Sequence, residues 1–376
     1  MRIVVTVPWR ERLGGAEAML QTIIDGVGES GHELEFVFFE DGPWPAELRE
    51  AGMRVEVIEA GRVRQLHRWL ATVLRLATLF RRRRPDVILN WAAKTQVYGS
   101  PAAALVGMTD RVVWWQHSIA TQTWLERCAN LLPARAIVCY SAAAARAQAE
   151  MFPARPTLVI PAGAAPASDP AVAATPLELP PGDMVVGIVG RLQPWKGQDR
   201  LLAAQAILRG RGHPVHLVIV GGDAYGLSPE YAASLPGLIS RLGLTEHVTM
   251  TGEVPDARPF IERLDILVNA SDPEPFGIVL LEGMAAAVPV LAVDAGGPAE
   301  IVEHGKTGVL ARSGAPDALA DALEPLLSSP ELRHALGQAG RDRFLREYSD
   351  VAMRKRFFTA LEELAQGRRV ADVDAR

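Results

Sequence analysis

Cysteine is nearly missing: the chain of 376 residues has two, Cys128 and Cys139. That excludes a disulfide framework, and no Cys/His spacing suits a metal, so no metal site is expected. Both cysteines sit in apolar surroundings and are read as small buried hydrophobes in a reducing compartment. Positive charge is not in excess either. A net charge of −5 and a pI near 6.0 exclude bulk binding of nucleic acid, which needs a basic face. No run reaches the roughly 18 apolar residues of a transmembrane helix. The opening Met-Arg-Ile-Val-Val-Thr-Val is too short for the apolar region of a signal peptide, and no cleavage site follows it. It is expected to be a first strand in a cytoplasmic protein. No Gly-x-Gly-x-x-Gly follows that strand, which disfavours a nicotinamide-dependent dehydrogenase.

What the chain does have is apolar residues, 49% of the total, in short Val/Ile-rich runs between helical patterns. Strands are expected near 3–7, 34–39, 55–58, 87–90, 112–115, 136–139 and 158–160. A second series falls near 184–189, 216–221, 248–251, 266–268, 290–293 and 309–310. Continuous rather than alternating apolar runs indicate strands covered on both faces, and helices between them (16–29 and 65–83 among them) indicate parallel sheets. Residues 161–181, rich in Pro, Ala and Gly, read as a break between two such sheets. The expected organisation is a first α/β domain over 1–165, a linker over 166–182 and a second α/β domain over 183–349. A helix over 350–366 is expected to return to the first domain, and a polar tail over 367–376 to be disordered. Doubly wound sheets bind ligands at the C-terminal ends of their strands, which would line a cleft between the two domains.

The most informative segment runs from Asp272 to Met284. It sets Glu274 in a Pro-Phe-Gly turn and Glu282 eight positions later, one turn into an apolar helix. The start of that helix offers free N–H groups and a positive dipole end, which suit a phosphate, and the glutamates can accept hydrogen bonds from sugar or ribose hydroxyls. A second loop, Gly190-Arg191-Leu-Gln-Pro-Trp-Lys196-Gly197, follows the first strand of the second domain. Two fixed cations there could neutralise a departing diphosphate. Gly14-Gly15-Ala16-Glu17 follows strand one and opens a helix, where the backbone can approach an anion closely; alone, it could equally be a simple turn.

Together these motifs make the chain resemble the retaining glycosyltransferases of family 4, with the GT-B fold of two Rossmann-like doubly wound domains facing a central cleft. The resemblance also takes in Pro289-Val-Leu-Ala-Val-Asp294-Ala-Gly296-Gly297 with Glu300, and His304-Gly-Lys-Thr-Gly308. It runs nearly end to end and is most specific in the second half. It implies that Arg191 and Lys196 bind the donor diphosphate beside Gly190, and that Glu282 holds the ribose. It further implies that Glu274 contacts the sugar, with the backbone N–H groups of Phe276, Gly277 and Ile278. Gly15 would face the diphosphate, and His117, in Trp114-Trp-Gln-His-Ser118, would touch the sugar near the reacting centre. Glu253, after the strand at 248–251, would border the base. The implied activity moves a hexose-type sugar from a UDP- or GDP-sugar to a hydroxyl acceptor, with no cofactor. The acceptor would be a glycan, a lipid-linked intermediate or a small metabolite. Sequence leaves two routes open, front-face attack and a covalent intermediate on Glu274. The alternative function on this architecture is a nucleotide-sugar 2-epimerase or another non-transferase enzyme of the GT-B fold.

Three further readings concern the surface. Trp9, Trp91, Trp114, Trp115 and Trp195 lie at strand ends, where they could stack on a sugar or pack in the core. Trp9, with Arg10 and Arg12, is the leading acceptor-side candidate, and Trp91 is a second. Arg81–Arg84 close a Leu- and Arg-rich helix. Weak peripheral contact with anionic lipid at the inner membrane surface is weighed there against a solvated helix end, and the solvated end is preferred. Asn269-Ala-Ser271 is taken as a chance glycosylation sequon, and Asp372-Val-Asp374 as a chance metal motif.

Overall fold

The structure is a computed structural model that describes residues 1–12, 14–167, 179–180, 182–223 and 226–368. The middle of the expected linker and most of the expected tail, with Asp372 and Asp374, lie outside the described residues. Two compact units form. One comprises Met1–Ala162 and the chain from Val351; the other is Gly163–Asp350.

The first unit is built on β1 (Arg2–Val7), β2 (Glu33–Phe38), β3 (Arg54–Val57), β4 (Val87–Asn90), β5 (Val112–Gln116), β6 (Ala136–Cys139) and β7 (Thr157–Val159). They pair in parallel in the order β3-β2-β1-β4-β5-β6-β7. The second contains β8 (Met184–Val189), β9 (Val215–Val220), β10 (Val248–Gly252), β11 (Ile266–Asn269), β12 (Val290–Val293) and β13 (Val309–Ala311). These are also parallel, in the order β10-β9-β8-β11-β12-β13. Both sheets are the doubly wound α/β type expected from the continuous apolar runs. Strand order reverses between β1 and β4 in one and between β8 and β11 in the other. Those two reversals are where such sheets open a crevice for ligands.

Most strands are apolar because helices cover both faces; β3, Arg-Val-Glu-Val at the edge of the first sheet, is the exception. Ile3, Val4, Val5 and Val7 of β1 are fully buried. In the second unit, Val186, Ile188, Ile266, Val268, Leu291 and Val293 join one core with Leu201, Leu202, Leu319 and Leu323 of the flanking helices. Truncating a leucine at such a site costs about 2–5 kcal/mol.

The helix expected over 16–29 is interrupted. It runs Gly15–Asp25, stops at Gly26 and gives way to a single turn, Val27–Ser30. Gly26 also makes room for another element, since a Cβ there would lie 2.1 Å from Cδ of Arg354 on the last helix, Asp350–Ala365. That helix packs into the first unit through buried Met353, Phe357 and Leu361, with Phe357 5.7 Å from Trp115 between ring centroids. The ends of the second unit meet each other. Ala164 N–H donates to the Tyr348 carbonyl at 3.1 Å, and Asp350 N–H donates to the Ala164 carbonyl at 2.9 Å.

Candidate functional site

In the second unit, the loops after β8 and β11 flank the reversal of strand order. The loop after β8 turns at Gly190, whose φ of +149° a side chain rarely adopts. It lies against the next turn so closely that a Cβ on Gly221 would sit 2.1 Å from the Gly190 carbonyl oxygen. Arg200 fastens the far end of the loop to β11, with Nη2 donating to the Ala270 carbonyl at 2.7 Å and to the Trp195 carbonyl at 3.3 Å. Asp272 N–H donates to the same Trp195 carbonyl at 2.9 Å. The cation-bearing loop and the Glu274 turn are thereby held as one piece.

Glu274 is pinned from both sides. Its N–H donates to Ala295 at 3.0 Å and its carbonyl accepts from Gly297 at 2.8 Å. Glycine is required at 297, because a Cβ would fall 2.4 Å from Cα of Phe276. The side chain is buried, and its Oε2 lies 2.8 Å from Nζ of Lys196. Asn269 Nδ2 donates to the same oxygen at 3.3 Å, and Asn269 Oδ1 accepts from Ser271 N–H at 3.0 Å. Burial pushes the Glu274 pKa up, but the Lys196 ammonium and the hydrogen bonds from Ser271 and Asn269 outweigh it and hold the carboxyl below its ordinary range. Lys196 also sits 4.1 Å above the centroid of Trp195, a cation–π contact. Trp195 therefore supports the lysine. Arg191, by contrast, has no partner for its guanidinium among the described residues.

The helix Ile278–Ala285 begins at Gly277, in the left-handed region at φ +104°, so its first N–H groups are free of a side-chain cap. Phe276 is buried beneath this turn. The Glu282 carboxylate, on the same helix, has no hydrogen-bond partner among the described residues, although its backbone carbonyl accepts from Ala286 N–H at 3.2 Å. Burial pushes its pKa up to about 7, the charge of Asp256 adds to the rise and that of Arg258 opposes it. Asp256 and Arg258 form a two-pronged ion pair with a shortest contact of 2.7 Å. Glu253, after β10, is exposed and lies beside Gly222.

In the first unit, the sequence candidates again follow strands at the reversal. Gly15 is exposed at the start of the helix after β1. Trp9 is half-buried, with its ring 5.8 Å from that of His117 after β5. Arg10 and Arg12 are exposed and pair with Glu11 at 3.1 Å and Glu47 at 2.6 Å. Trp91 corrects the expectation of an acceptor-side face. It is fully buried, its Nε1 donates to the Ala16 carbonyl at 3.2 Å, and its ring packs 4.7 Å from Trp115. Trp114 and Trp115 are fully buried as well. An indole at a strand end can face inward as readily as outward, and these three complete the core.

His117 is less available than its position suggested. Its Nε2 meets the Trp91 carbonyl and its Nδ1 meets the Tyr140 hydroxyl. A carbonyl only accepts, so Nε2 carries the proton and Nδ1 accepts from Tyr140. Burial lowers the pKa to about 3, against the pull of the Trp91 carbonyl, and keeps the ring neutral. For the ring to donate to a ligand, Nε2 would have to leave Trp91.

Sequence reading missed the pairing of Lys196 with Glu274 and the parts played by Asn269, Ser271, Arg200, Tyr140, Asp256 and Arg258. One usable signal was present: Asn269 ends an otherwise apolar strand, Ile-Leu-Val-Asn, where a buried polar side chain needs a partner.

Comparison with known proteins agrees with this geometry. Residues 174–343 match the family described as Glycosyl transferases group 1, and residues 13–167 match Glycosyltransferase Family 4. The chain belongs to glycosyltransferase family 4. It is 38% identical over 175 residues to a D-inositol 3-phosphate glycosyltransferase of Segniliparus rotundus, covering 46% of this chain and 38% of that protein. It is 39% identical over 163 residues to a GDP-mannose-dependent alpha-(1-6)-phosphatidylinositol monomannoside mannosyltransferase of Mycobacterium tuberculosis, covering 41% of each. The match thus spans about two-fifths of the length of these curated relatives. Among solved structures, Anabaena HepE in complex with UDP superposes with a TM-score of 0.80 at 25% identity, covering 96% of this chain and 100% of that one. The family 4 chain therefore has the two Rossmann-like domains of the GT-B fold.

Proposed function

We infer that this family 4 protein is a retaining glycosyltransferase that moves a hexose-type sugar from a nucleotide diphosphate donor to a hydroxyl acceptor. One observation carries the reading: the Arg191 guanidinium, without a partner among the described residues, stands on a loop tied through Lys196 to Glu274, in the turn that leads into the open start of the helix Ile278–Ala285. Glycosyl transfer passes through an oxocarbenium-like state while negative charge grows on the leaving phosphate. Arg191, the remaining N–H groups of Lys196 and the helix start would receive that charge, so the donor can depart without a metal. Gly15 is assigned to the same diphosphate, Gly190 lets the backbone approach it, and Glu253 borders the base.

Glu282 accepts from the ribose hydroxyls in this reading, and Glu274 from a sugar hydroxyl. The engagement of Glu274 with Lys196, Asn269 and Ser271 favours a positioning role. That supports front-face attack, with the leaving phosphate taking the acceptor's proton, over a covalent intermediate on Glu274. His117 would contact the sugar through its ring edge, oriented by Tyr140. Trp9, Arg10 and Arg12 are the proposed acceptor side. The donor is a UDP- or GDP-sugar, in keeping with HepE and the M. tuberculosis relative. Two free thiols, one of them Cys139 with its pKa pushed up to about 12 by burial, support a reducing, cytoplasmic setting.

The test is a thermal-shift screen with UDP, GDP, ADP and their sugars. Transfer to an acceptor panel follows, with the anomeric configuration of the product read by NMR. Stabilisation by one nucleotide and a retained configuration are expected. No stabilisation by any nucleotide, or an inverted product, would overturn the reading.

A further inference from the structure

One buried carboxylate holds the loop that follows β5. Glu126, the third residue of the helix Trp124–Leu131, is 7% exposed. Its Oε1 accepts from Gln116 Nε2 at 3.1 Å and from the Ser118 hydroxyl at 3.3 Å. Its Oε2 accepts from the N–H and the hydroxyl of Thr121, both at 3.2 Å. The N–H and the hydroxyl of Thr123 donate to the same oxygen, both at 3.0 Å. Burial pushes the Glu126 pKa up, but the hydrogen bonds from Thr123, Gln116 and Thr121 outweigh it and hold the carboxyl below its ordinary range.

Helix capping explains only part of this. A capping box needs the glutamate to reach the N-cap N–H alone, here that of Thr123. Gln116, Ser118 and Thr121 lie outside it. Ser118, Thr121 and Thr123 are exposed, so water can serve them without a carboxylate. Gln122, between two of the anchors, is held at φ +58°. A residue with a side chain adopts that region at a cost, and such positions cluster where a ligand is met. The loop opens at His117, whose ring lies 5.8 Å from that of Trp9, so its exposed hydroxyls stand at the proposed acceptor side.

The clamp also limits what those hydroxyls can do. An ionised carboxylate only accepts, so the protons of Ser118 and Thr121 are committed to Glu126. Their oxygens keep lone pairs, which accept from a ligand hydroxyl and repel a phosphate or a carboxylate. We propose that Glu126 is a positioning residue that holds the loop 117–123 as a preformed rim, on which Ser118 and Thr121 accept from hydroxyls of a polyol acceptor. This rests on the transferase reading above and adds the chemistry of its acceptor side. An anionic group on the acceptor would lie off this rim.

Hydrogen exchange and transfer kinetics of the full chain test it. In Glu126→Gln, exchange at the Thr121 and Thr123 amides should quicken by about tenfold or more, the worth of one charge-assisted hydrogen bond. With any acceptor that the panel above shows to be glycosylated, the same variant should raise acceptor KM by about tenfold or more. Affinity for the nucleotide sugar should stay within about twofold of wild type. Thr121→Val, which removes only an exposed hydroxyl, should keep the wild-type melting temperature and still raise acceptor KM. The two effects should be less than additive in the double variant, because both act on one rim. Among singly deoxygenated analogues of the acceptor, one should show the same KM with wild type and Thr121→Val. Unchanged exchange in Glu126→Gln would remove the clamp. Unchanged acceptor KM in Thr121→Val, equal weakening of donor and acceptor, or analogues that all still distinguish the two proteins would overturn the rim. A protein that no nucleotide stabilises fails the transferase reading instead, and hydrogen exchange still decides the clamp.

Discussion

Replacing Lys196 with Met should cost stability in a way that depends on pH. Its Nζ lies 2.8 Å from Glu274 Oε2, with 18% and 8% of the two side chains exposed. Removing one partner of a buried pair costs about 3–5 kcal/mol, because the remaining charge is left in a poorly solvated site. Asn269 and Ser271 still donate to Glu274, so the low end, about 3 kcal/mol, is expected near pH 7. For a unit of this size that corresponds to a fall in Tm of about 6–12 °C. The sign with pH follows from the carboxylate. In the wild type the Glu274 pKa is held below its ordinary range, so its pairing stabilises above that range and is lost as pH falls through the depressed value. In Lys196→Met, burial acts with its main opponent gone. The variant is penalised at neutral pH and relieved as pH falls and Glu274 takes up a proton. The gap between wild type and variant should therefore narrow steadily towards pH 4.5. Glu274→Gln alone should cost less, about 1–2 kcal/mol, and the double variant should recover about 2 kcal/mol relative to the sum of the singles. Chemical denaturation of the four proteins across pH 4.5–8 measures all of this. A loss for Lys196→Met that does not change with pH, or additive losses in the double variant, would refute the reasoning.

Arg191→Ala should leave Tm nearly unchanged, because the guanidinium has no partner to lose among the described residues, yet lower kcat by about 10²-fold or more if it receives leaving-group charge; near-normal turnover would exclude that role. Affinity for a nucleotide sugar, whose own phosphates do not titrate near neutrality, should rise as pH increases through about 7 and Glu282 ionises, and Glu282→Gln should flatten that rise in calorimetric titrations. A wild-type affinity constant between pH 5.5 and 8 would count against the ribose role. Trp9→Ala should raise the acceptor KM while sparing donor hydrolysis. Trp91→Ala should instead lower stability by about 3–5 kcal/mol, since that ring is fully buried. Equal loss of transfer and hydrolysis in Trp9→Ala would remove it from the acceptor side.

The architecture was legible because a parallel sheet covered on both faces leaves an unambiguous trace: runs such as Val-Ile-Leu-Asn at 87–90 and Val-Leu-Ala-Val at 290–293 are strands where they were expected. Boundaries blurred where two demands met at one residue. Gly26 both ends a helix and clears a path for Arg354, and nothing near it in sequence announces the second task. The donor-site residues stood out because strand-end loops combine unusual glycines with charge. Their mutual pairing did not, since Lys196 and Glu274 are neighbours only after β8 and β11 align. Asn269 looked like an accidental sequon because its meaning lies in a carboxylate five positions on and in the darkness of the site, 3% exposed. The tryptophans divided for a related reason. Composition says that an indole is present, and only the packing of Trp115, Phe357 and Tyr140 decides which way it faces.

The hydrogen bonds joining Ala164 to Tyr348 and Asp350 have a consequence for how such a protein can be taken apart. The first unit is written in two pieces of chain, and the second is inserted between them with its two ends tied together. A chain cut off before Met353 and Phe357 would leave the first unit with an open core, however complete its seven strands. The inserted unit carries its own closure, so excision at that tie should leave its host a gap no wider than the one those hydrogen bonds span.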